Sequence, residues 1–461
     1  MASTSTSADT IFALSSAPGR AGVAVIRLSG PQTATAVETL CGALPPPRQA
    51  VLRRLLHPTD GTLIDRGLVL YFPSPGTFTG EDIAEFQVHG GRAVIVALLS
   101  ALGNLPRCRL AEPGEFAMRA FHNGKLDLAQ AEGLADLIDA ETEAQRRQAL
   151  NQAEGALSQR TEKWRTALIE AMSLVEAAID FSDEADVSDN AVAQAEKRIA
   201  ALAAEIAGHL DDCHRGEILR DGFKVVLAGA PNVGKSSLLN ALARRDVAIV
   251  SSEAGTTRDT IEVRLDLGGL PVIVTDTAGL REAAGEIEQE GIRRTLARAQ
   301  DAHLVLWVID ASSQGKPDAL PKELEDKPTI VVANKCDLLV PNTDTAPTSS
   351  PRRRGSKHAS IETPISAKTG TGLETLVASI AAEAARSTEG AQADGVITQA
   401  RHRRHLGDCL EHVSRFLQGA PEIELRAEDL RLAADSLGRI TGRIDPEDIL
   451  DQVFGRFCIG K

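Results

Sequence analysis

Gly229-Ala-Pro-Asn-Val-Gly234-Lys235-Ser236 follows an apolar run, Lys224 to Ala228, and precedes a helical pattern. In that context backbone N–H groups and a helix N-terminus can cradle phosphates. Lys235 would reach the β and γ oxygens, and the Ser236 hydroxyl would ligate Mg2+. Asn232, Val233, Gly234, Lys235, Ser236 and Ser237 are therefore candidate nucleotide-binding residues. Taken alone the motif says only nucleoside triphosphate. Three further motifs follow in order. Asp276-Thr277-Ala278-Gly279 supplies a carboxylate for the Mg2+ shell and a glycine N–H for the γ-phosphate. Asn334-Lys335-Cys336-Asp337 offers Asp337 as acceptor from both N1–H and the 2-amino group of guanine, a donor pair that adenine lacks. Ser366-Ala367-Lys368 fits a second base-contacting loop. Each short motif alone is an ordinary turn; as an ordered set they point to a GTPase.

The water that attacks must be positioned. Leu280 stands after Gly279 where Ras-like switches carry glutamine, so another residue has to do this. The acidic segment Glu282 to Glu290 holds candidates, although most of its glutamates read as a solvated helix face. No arginine stands out as a finger supplied in cis, and a metal ion could take that place.

The elements that position these residues fall into three kinds. From Thr10 to about Leu102 the pattern is strand-rich, with strands predicted at Val23–Leu28, Leu68–Phe72 and Ile83–His89. In the last, Ala84, Phe86 and Val88 alternate with Glu85, Gln87 and His89, so one face packs and the other is open. Arg27 shares a strand face with Val23 and Val25, where a guanidinium needs an acidic or anionic partner. Ala93 to Leu102 reads as a buried helix, at about half the ~20 residues of a membrane span. Between Pro113 and Pro231 there is no proline, and Ala, Leu, Glu and Gln dominate, so this stretch should be mostly helix. Trp164, Leu168, Met172, Val175 and Ile179 form one apolar stripe, and Ile199, Leu202, Ile206 and Leu210 another. Further stripes run through Leu406, Leu410, Val413 and Leu417 and through Leu430, Ala433, Leu437 and Ile440. Between these helical blocks, Val225–Ala228, Val272–Thr275, Leu304–Ile309 and Thr329–Ala333 alternate with helical patterns, as in a mostly parallel sheet covered by helices. Val340 to Pro364 reads as a long surface loop.

The expected architecture is a multidomain α+β chain: a β-rich N-terminal domain at 1–124, a discontinuous helical domain at 125–221 and 386–461, and an inserted α/β P-loop domain at 222–385. A length of 461 residues suits several domains, at about 100 to 200 residues each. With 43% hydrophobic and 25% charged residues the chain should be globular rather than disordered. The N-terminus shows no secretory pattern, so a cytoplasmic location is expected. The six cysteines form no CxxC pair and no metal-ligand spacing, so reduced thiols are expected. A formal charge of -14 argues against a broad nucleic-acid surface, and 3% aromatic residues argue against rows of stacked bases. The basic clusters Arg401–His405 and Arg352–Lys357 are local candidates for tRNA phosphate, although solvated surface is the plainer reading of each.

At this point the residues carry a resemblance to the bacterial tRNA-modification GTPase family MnmE (TrmE). The matching elements are Pro18-Gly-Arg20, Phe78-Thr-Gly-Glu-Asp82, His89-Gly-Gly91, Glu112-Pro-Gly-Glu-Phe116, Asn123-Gly-Lys-Leu-Asp-Leu-Ala-Gln-Ala131, the four motifs above, Gly255-Thr-Thr-Arg-Asp259 and Cys458-Ile-Gly-Lys461. They spread over the whole chain. The resemblance implies a potassium ion beside the triphosphate, held by Asn232 and by the loop Ser251 to Thr256, with Ser251, Glu253 and Thr256 as its contacts. G-domain dimerisation would order that loop, and potassium would play the part of the absent arginine finger. It implies Thr257 as second Mg2+ ligand, with Ser251, Thr256 and Thr257 also lining the nucleotide, and Glu288 as the water-orienting carboxylate. Glu253 departs from the usual side chain at its position, which matters little if a main-chain carbonyl is the ligand. In the N-terminal domain the resemblance implies a tetrahydrofolate site (5,10-methylene or 5-formyl) at Arg27, Glu85, Lys125 and Lys461, and a suspected catalytic role for Cys458. A thiol needs a depressed pKa for such attack.

The implied function is potassium-dependent GTP hydrolysis coupled to modification of C5 of the tRNA wobble uridine (aminomethyl or carboxymethylaminomethyl). It would be carried out by a homodimer with the flavoprotein MnmG (GidA), in a heterotetramer, FAD and NADH entering only through that partner. No membrane is involved in this expectation. The rival is a non-enzymatic RNA- or ribosome-associated GTPase switch, against which the folate residues and the Cys-Ile-Gly-Lys tail speak. A scaffold with a vestigial nucleotide site is disfavoured by the intact motifs.

Overall fold

The computed structural model describes residues 9–180, 185–212, 214–249, 262–276, 301–313, 324, 327–339, 362–391, 397–419, 422–444, 447–457 and 459–460. The chain divides into two compact units, one of residues 1–138, 151–204 and 404–461, the other of residues 139–150 and 205–403.

In the first unit six strands form one sheet: β1 (Thr10–Leu14), β2 (Ala21–Ser29), β3 (Val51–Leu56), β4 (Leu63–Phe72), β5 (Ile83–Gly90) and β6 (Cys108–Leu110), in the order β3-β4-β5-β2-β1-β6. Only the β1–β6 pairing is parallel. The alternation read from sequence sets which face packs. Ala24, Ile26 and Leu28 of β2 and Ala84, Phe86 and Val88 of β5 are buried against helices Thr33–Cys41 and Arg92–Gly103. Val25, Arg27, Glu85 and Gln87 lie on the open face. Helix Arg92–Gly103 is not buried all round as its composition suggested. Leu98, Ala101 and Leu102 face the core, while Val96 remains 56% exposed.

The proline-free stretch forms helices Glu115–His122, Leu128–Asp139, Glu143–Ala153, Ala156–Asp180, Ala185–Leu210 and Arg215–Asp221. The stripe of helix Ala156–Asp180 is rotated from the expected set. Leu157, Thr161, Trp164, Leu168, Ala171, Val175 and Ala178 are buried, and Met172 and Ile179 only half so. Their three-and-four spacing is that of two long helices packed side by side. The partner is helix Ile423–Thr441, which buries Leu430, Ala433, Leu437 and Ile440 as expected. Helix Ala400–Gln418 buries His402, His405, Leu406, Cys409, Val413 and Phe416, leaving Leu410 and Leu417 half-exposed.

In the second unit strands β7 (Phe223–Ala228), β8 (Glu262–Leu267), β9 (Leu270–Asp276), β10 (Leu304–Asp310), β11 (Thr329–Asn334) and β12 (Glu362–Pro364) have the order β12-β11-β10-β7-β9-β8. All pair in parallel except β8 with β9. Strand β12 corrects the loop expected to reach Pro364. Its three residues pair with Val331, Val332 and Ala333, and a run this short carries too little periodicity to be seen in sequence. The preceding residues 340–361, including Arg352–Lys357, lie outside the described set. Helices Lys235–Ala243 and Leu373–Ser387 pack on the sheet's core. Among the described residues no helix is long and apolar enough to cross a membrane.

A buried ion network ties the N-terminal sheet to helix Glu115–His122. Arg119 Nη1 donates to Glu81 Oε2 at 3.1 Å and to the Asp9 carbonyl at 2.9 Å, and Arg119 Nη2 to Glu115 Oε1 at 2.9 Å. Arg109 Nη2 meets the same Glu115 oxygen at 2.6 Å. Burial alone would raise the Glu115 carboxyl, but the bonds from Arg109, the Glu112 amide and Arg119 outweigh it and hold the group below the usual carboxylate range. The resulting stability is present above the unfolded carboxyl's pKa and is lost as pH falls through the lowered folded value. Replacing Arg119→Met should cost about 1.5–3 kcal/mol, because Glu81 and Glu115 each lose a charged donor while Arg109 still holds Glu115. Urea unfolding at pH 7 checks this, and the difference from the parent should shrink on acidification.

Candidate functional site

The phosphate-loop motif occupies the turn between β7 and helix Lys235–Ala243, at the C-terminal ends of the parallel strands, where ligands of such sheets bind. Lys235 Nζ donates to the carbonyls of Gly229 and Ala230 at 2.9 and 2.8 Å, so its ammonium lies inside the loop. Ser236 Oγ donates to Asp276 Oδ2 at 2.6 Å, and Asp276 is fully buried at the end of β9. A hydroxyl beside a carboxylate is an oxygen donor set suited to a hard divalent ion, so these two residues fit Mg2+.

Asn334 and Lys335 stitch this loop to the segments expected from sequence to contact the base. Asn334 is 2% exposed; its Nδ2 donates to the Val233 carbonyl at 2.9 Å, and its Oδ1 accepts from Ala367 N at 3.1 Å. Lys335 Nζ donates to the Asn232 carbonyl at 2.9 Å and to Asp310 Oδ2 at 2.6 Å. Asn232 and Lys335 both adopt left-handed backbone, φ 63° and 66°. Asp337 follows in a short turn with its side chain exposed, as a base acceptor must be. Ser366 is buried; its Oγ accepts from Thr369 N at 3.1 Å, which makes its side chain a turn-former. Ser237 is exposed on the helix. Ser251, Glu253, Thr256, Thr257, Thr277, Ala278, Gly279 and Glu288 lie outside the described residues, so Asn232 is the one proposed potassium contact whose place is described.

On the N-terminal sheet Arg27 and Glu85 sit directly opposite in the β2–β5 register and pair with each other. Arg27 Nε and Nη2 donate to Glu85 Oε1 at 3.1 and 2.9 Å, with 26% and 19% of the side chains exposed. The guanidinium lies 6.0 Å from the Phe78 ring centroid. Lys125 is exposed and folds over Gly80, where a Cβ would come within 3.1 Å of its Cε. Two donors, an acceptor and an aromatic face thus share one open surface, a set compatible with a pterin and its anionic tail. Cys458 and Lys461 lie outside the described residues, and Ile459 and Gly460 contact the N-terminal segment. Ile459 bridges to Pro113, and the Gly460 carbonyl accepts from Ser15 Oγ at 2.9 Å, one residue past the end of β1.

Two further observations narrow the site. Arg403, in the basic cluster Arg401–His405, is not free surface: it bonds to Asp212 Oδ1 at 2.6 Å, to Glu217 Oε2 at 3.1 Å and to the Leu210 carbonyl at 2.8 Å. His402 and His405 are buried. A cavity of about 420 Å3 beside Arg403, lined also by Glu217, Lys224, His303 and Thr398, opens at the N-terminal ends of β7 and β10, away from the phosphate loop. Among the described residues no cluster of three or more His, Cys, Asp or Glu could hold a metal. Cys41, Cys108, Cys336 and Cys409 are free thiols, and burial pushes Cys41 and Cys409 up to about 12, so these two are packing residues.

Comparison with known proteins adds the family. The family model described as MnmE helical domain matches residues 128–458, and that of the GTP-binding protein TrmE N-terminus matches residues 10–125. The chain belongs to the MnmE family. The tRNA modification GTPase MnmE of Parvibaculum lavamentivorans is 52% identical over 457 residues, covering 98% of this chain and 100% of that protein. The MnmE of Paramagnetospirillum magneticum is 53% identical over 458 residues, again covering 98% and 100%. Among solved structures, the G domain of the T. maritima FeoB iron transporter shares 28% identity over 35% of this chain and 98% of its own, with a TM-score of 0.26 that lends no weight to the assignment.

Sequence reading had missed Asp310 and Asp65. The second holds His89 of the family's His-Gly-Gly element through its backbone N at 2.8 Å and Nδ1 at 2.9 Å. The place of Asp310, closing an apolar run at a strand's C-terminal end, was the available signal. Within the loop, Gly234 has no room for a side chain. Its φ is 97°, and a Cβ there would lie 2.3 Å from Asn334 Nδ2. Gly234→Ala should weaken GTP binding at least about tenfold, since moving the Asn334 amide and straining the backbone together exceed 1.4 kcal/mol. Equilibrium titration with a fluorescent GTP analogue measures it.

Proposed function

We propose that this chain is a potassium-dependent GTP hydrolase. With an MnmG-type flavoprotein partner, it modifies C5 of the tRNA wobble uridine using a tetrahydrofolate one-carbon unit. GTP hydrolysis in tRNA modification follows from membership of the family. The observation that supports the finer reading is the convergence of Lys235, the Ser236–Asp276 pair, Asn334 and Lys335 at one end of one sheet. The same chain carries the Arg27–Glu85 pair in its TrmE-type N-terminal segment.

In this reading the loop amides and Lys235 hold the β- and γ-phosphates, and Asp337 selects guanine through its two donors. Ser236, Asp276 and Thr257 would hold Mg2+, while Asn232, Ser251, Glu253 and Thr256 would hold K+. The two ions supply positive charge where the transition state spreads negative charge over the transferred phosphoryl group. Glu288 orients the attacking water, the place of the missing glutamine at Leu280. Nucleotide state drives association and dissociation of two G domains in a homodimer. Arg27, Lys125 and Lys461 would engage the acidic tail of the folate and Glu85 its pterin donors, with Cys458 assigned a catalytic role in the carbon transfer. The functional partition is residues 1–124 for folate and dimerisation, 125–221 with 386–461 for the helical domain, and 222–385 for the G domain, in the cytoplasm.

GTP turnover should be at least about tenfold faster in potassium than in sodium, the size of effect of supplying one transition-state charge. Equal rates in the two salts would refute the potassium assignment. Glu288→Ala should cut hydrolysis by about a hundredfold at unchanged nucleotide affinity, and an unaltered rate removes Glu288 from the mechanism. Glu85→Ala should abolish binding of 5-formyl-tetrahydrofolate in calorimetry and leave GTP turnover intact. The rival, an RNA- or ribosome-associated switch, requires that the parent chain bind no folate.

A further inference from the structure

We propose that Asp310 is a positioning residue of the nucleotide site, acting by fixing Lys335 and, through it, the Asn232 carbonyl of the phosphate loop. Asp310 ends β10 and stands in register with Asn334 of β11, and Ala311 N closes the pair on the Asn334 carbonyl at 2.8 Å. The carboxylate is fully engaged. Oδ1 accepts from Ser312 N at 2.9 Å and from Ser312 Oγ at 2.6 Å, which fixes its plane, and Oδ2 accepts from Lys335 Nζ at 2.6 Å. The Lys335 and Ser312 bonds hold its carboxyl below the usual range, so it is ionised at neutral pH.

An exposed lysine–carboxylate pair ordinarily contributes little. This one differs in what the ammonium does next. The same Nζ donates to the Asn232 carbonyl at 2.9 Å, so one cation spans the end of β10, the turn before Asp337 and the phosphate loop. Lys335 and Asn232 both adopt left-handed backbone, which is unfavourable for lysine and accessible to asparagine. Two sharp turns from separate loops are thus fastened to each other by one ammonium group, and Asp310 keeps that group in place. With both of its oxygens committed, Asp310 acts through Lys335 and not on the nucleotide.

The inference rests on the assignment of Asn334–Asp337 to guanine recognition, and its test separates the two. Asp310→Asn keeps an oxygen for Ser312 and removes the charge facing Lys335. In the full chain with Mg2+, GTP and GDP dissociation constants should rise about tenfold, the size of one charge-assisted bond. The rate at saturating GTP should change less than about twofold, because the loss is of uniform binding. Lys335→Ala should weaken binding comparably, and the double variant D310N/K335A should bind no more weakly than K335A alone. Parent-like affinity in D310N, or losses that simply add in the double variant, would overturn the role of Asp310. Failure of the parent chain to bind guanine nucleotides would instead overturn the underlying site assignment.

Discussion

One buried side-chain amide holds the proposed nucleotide site together. Asn334 has one donor and one acceptor turned toward two loops, 101 and 33 residues away in sequence, and satisfies both. Asn334 is 2% exposed, so its amide is shielded from water and couples the two loops through one side chain. The phosphate loop, the Asn334–Asp337 turn and the Ser366-Ala367 loop are therefore linked into one unit. Its floor is the parallel sheet, whose register places Asp310 and Asn334 side by side and whose β9 delivers the buried Asp276 to Ser236. Gly234 lacks a side chain because the Asn334 amide occupies that space.

The N-terminal surface is organised on the opposite logic. Arg27 and Glu85 gain their geometry from antiparallel register, which sets them face to face on a half-open sheet surface above Phe78. Each is the partner of the other, and each remains accessible enough to be recruited. Rigidity beneath them comes from the network of Glu81, Arg109, Glu115 and Arg119, which anchors the turn carrying Phe78 and Gly80.

The sequence made legible whatever depends on short-range order. The P-loop, the strands before each G motif and the period-2 alternation of β5 are local patterns, and the structure places them within a residue or two of the expected bounds. Arg27 was rightly expected to need an acidic partner, but pairing across strands depends on register, which composition does not reveal. The same holds for Asp310, whose partner Lys335 lies on another strand's end, and for Asp65, whose partner His89 lies across the β4–β5 pair. Helix stripes are displaced where Ala171, Ala178 and Cys409 take core positions expected for larger residues on the same helix. Close helix approach favours small side chains there. The cluster Arg401–His405 looked like surface because charge is visible in a sequence, whereas Asp212 and Glu217, which neutralise Arg403, come from a distant segment.

The bond from Ser15 Oγ to the Gly460 carbonyl joins positions 445 residues apart, and Ile459 adds a bridge to Pro113. During synthesis the end of β1 emerges early, yet its partner is made only after the whole G domain has been translated. These two contacts can therefore form only once translation has passed Gly460, so they close the N-terminal sheet last.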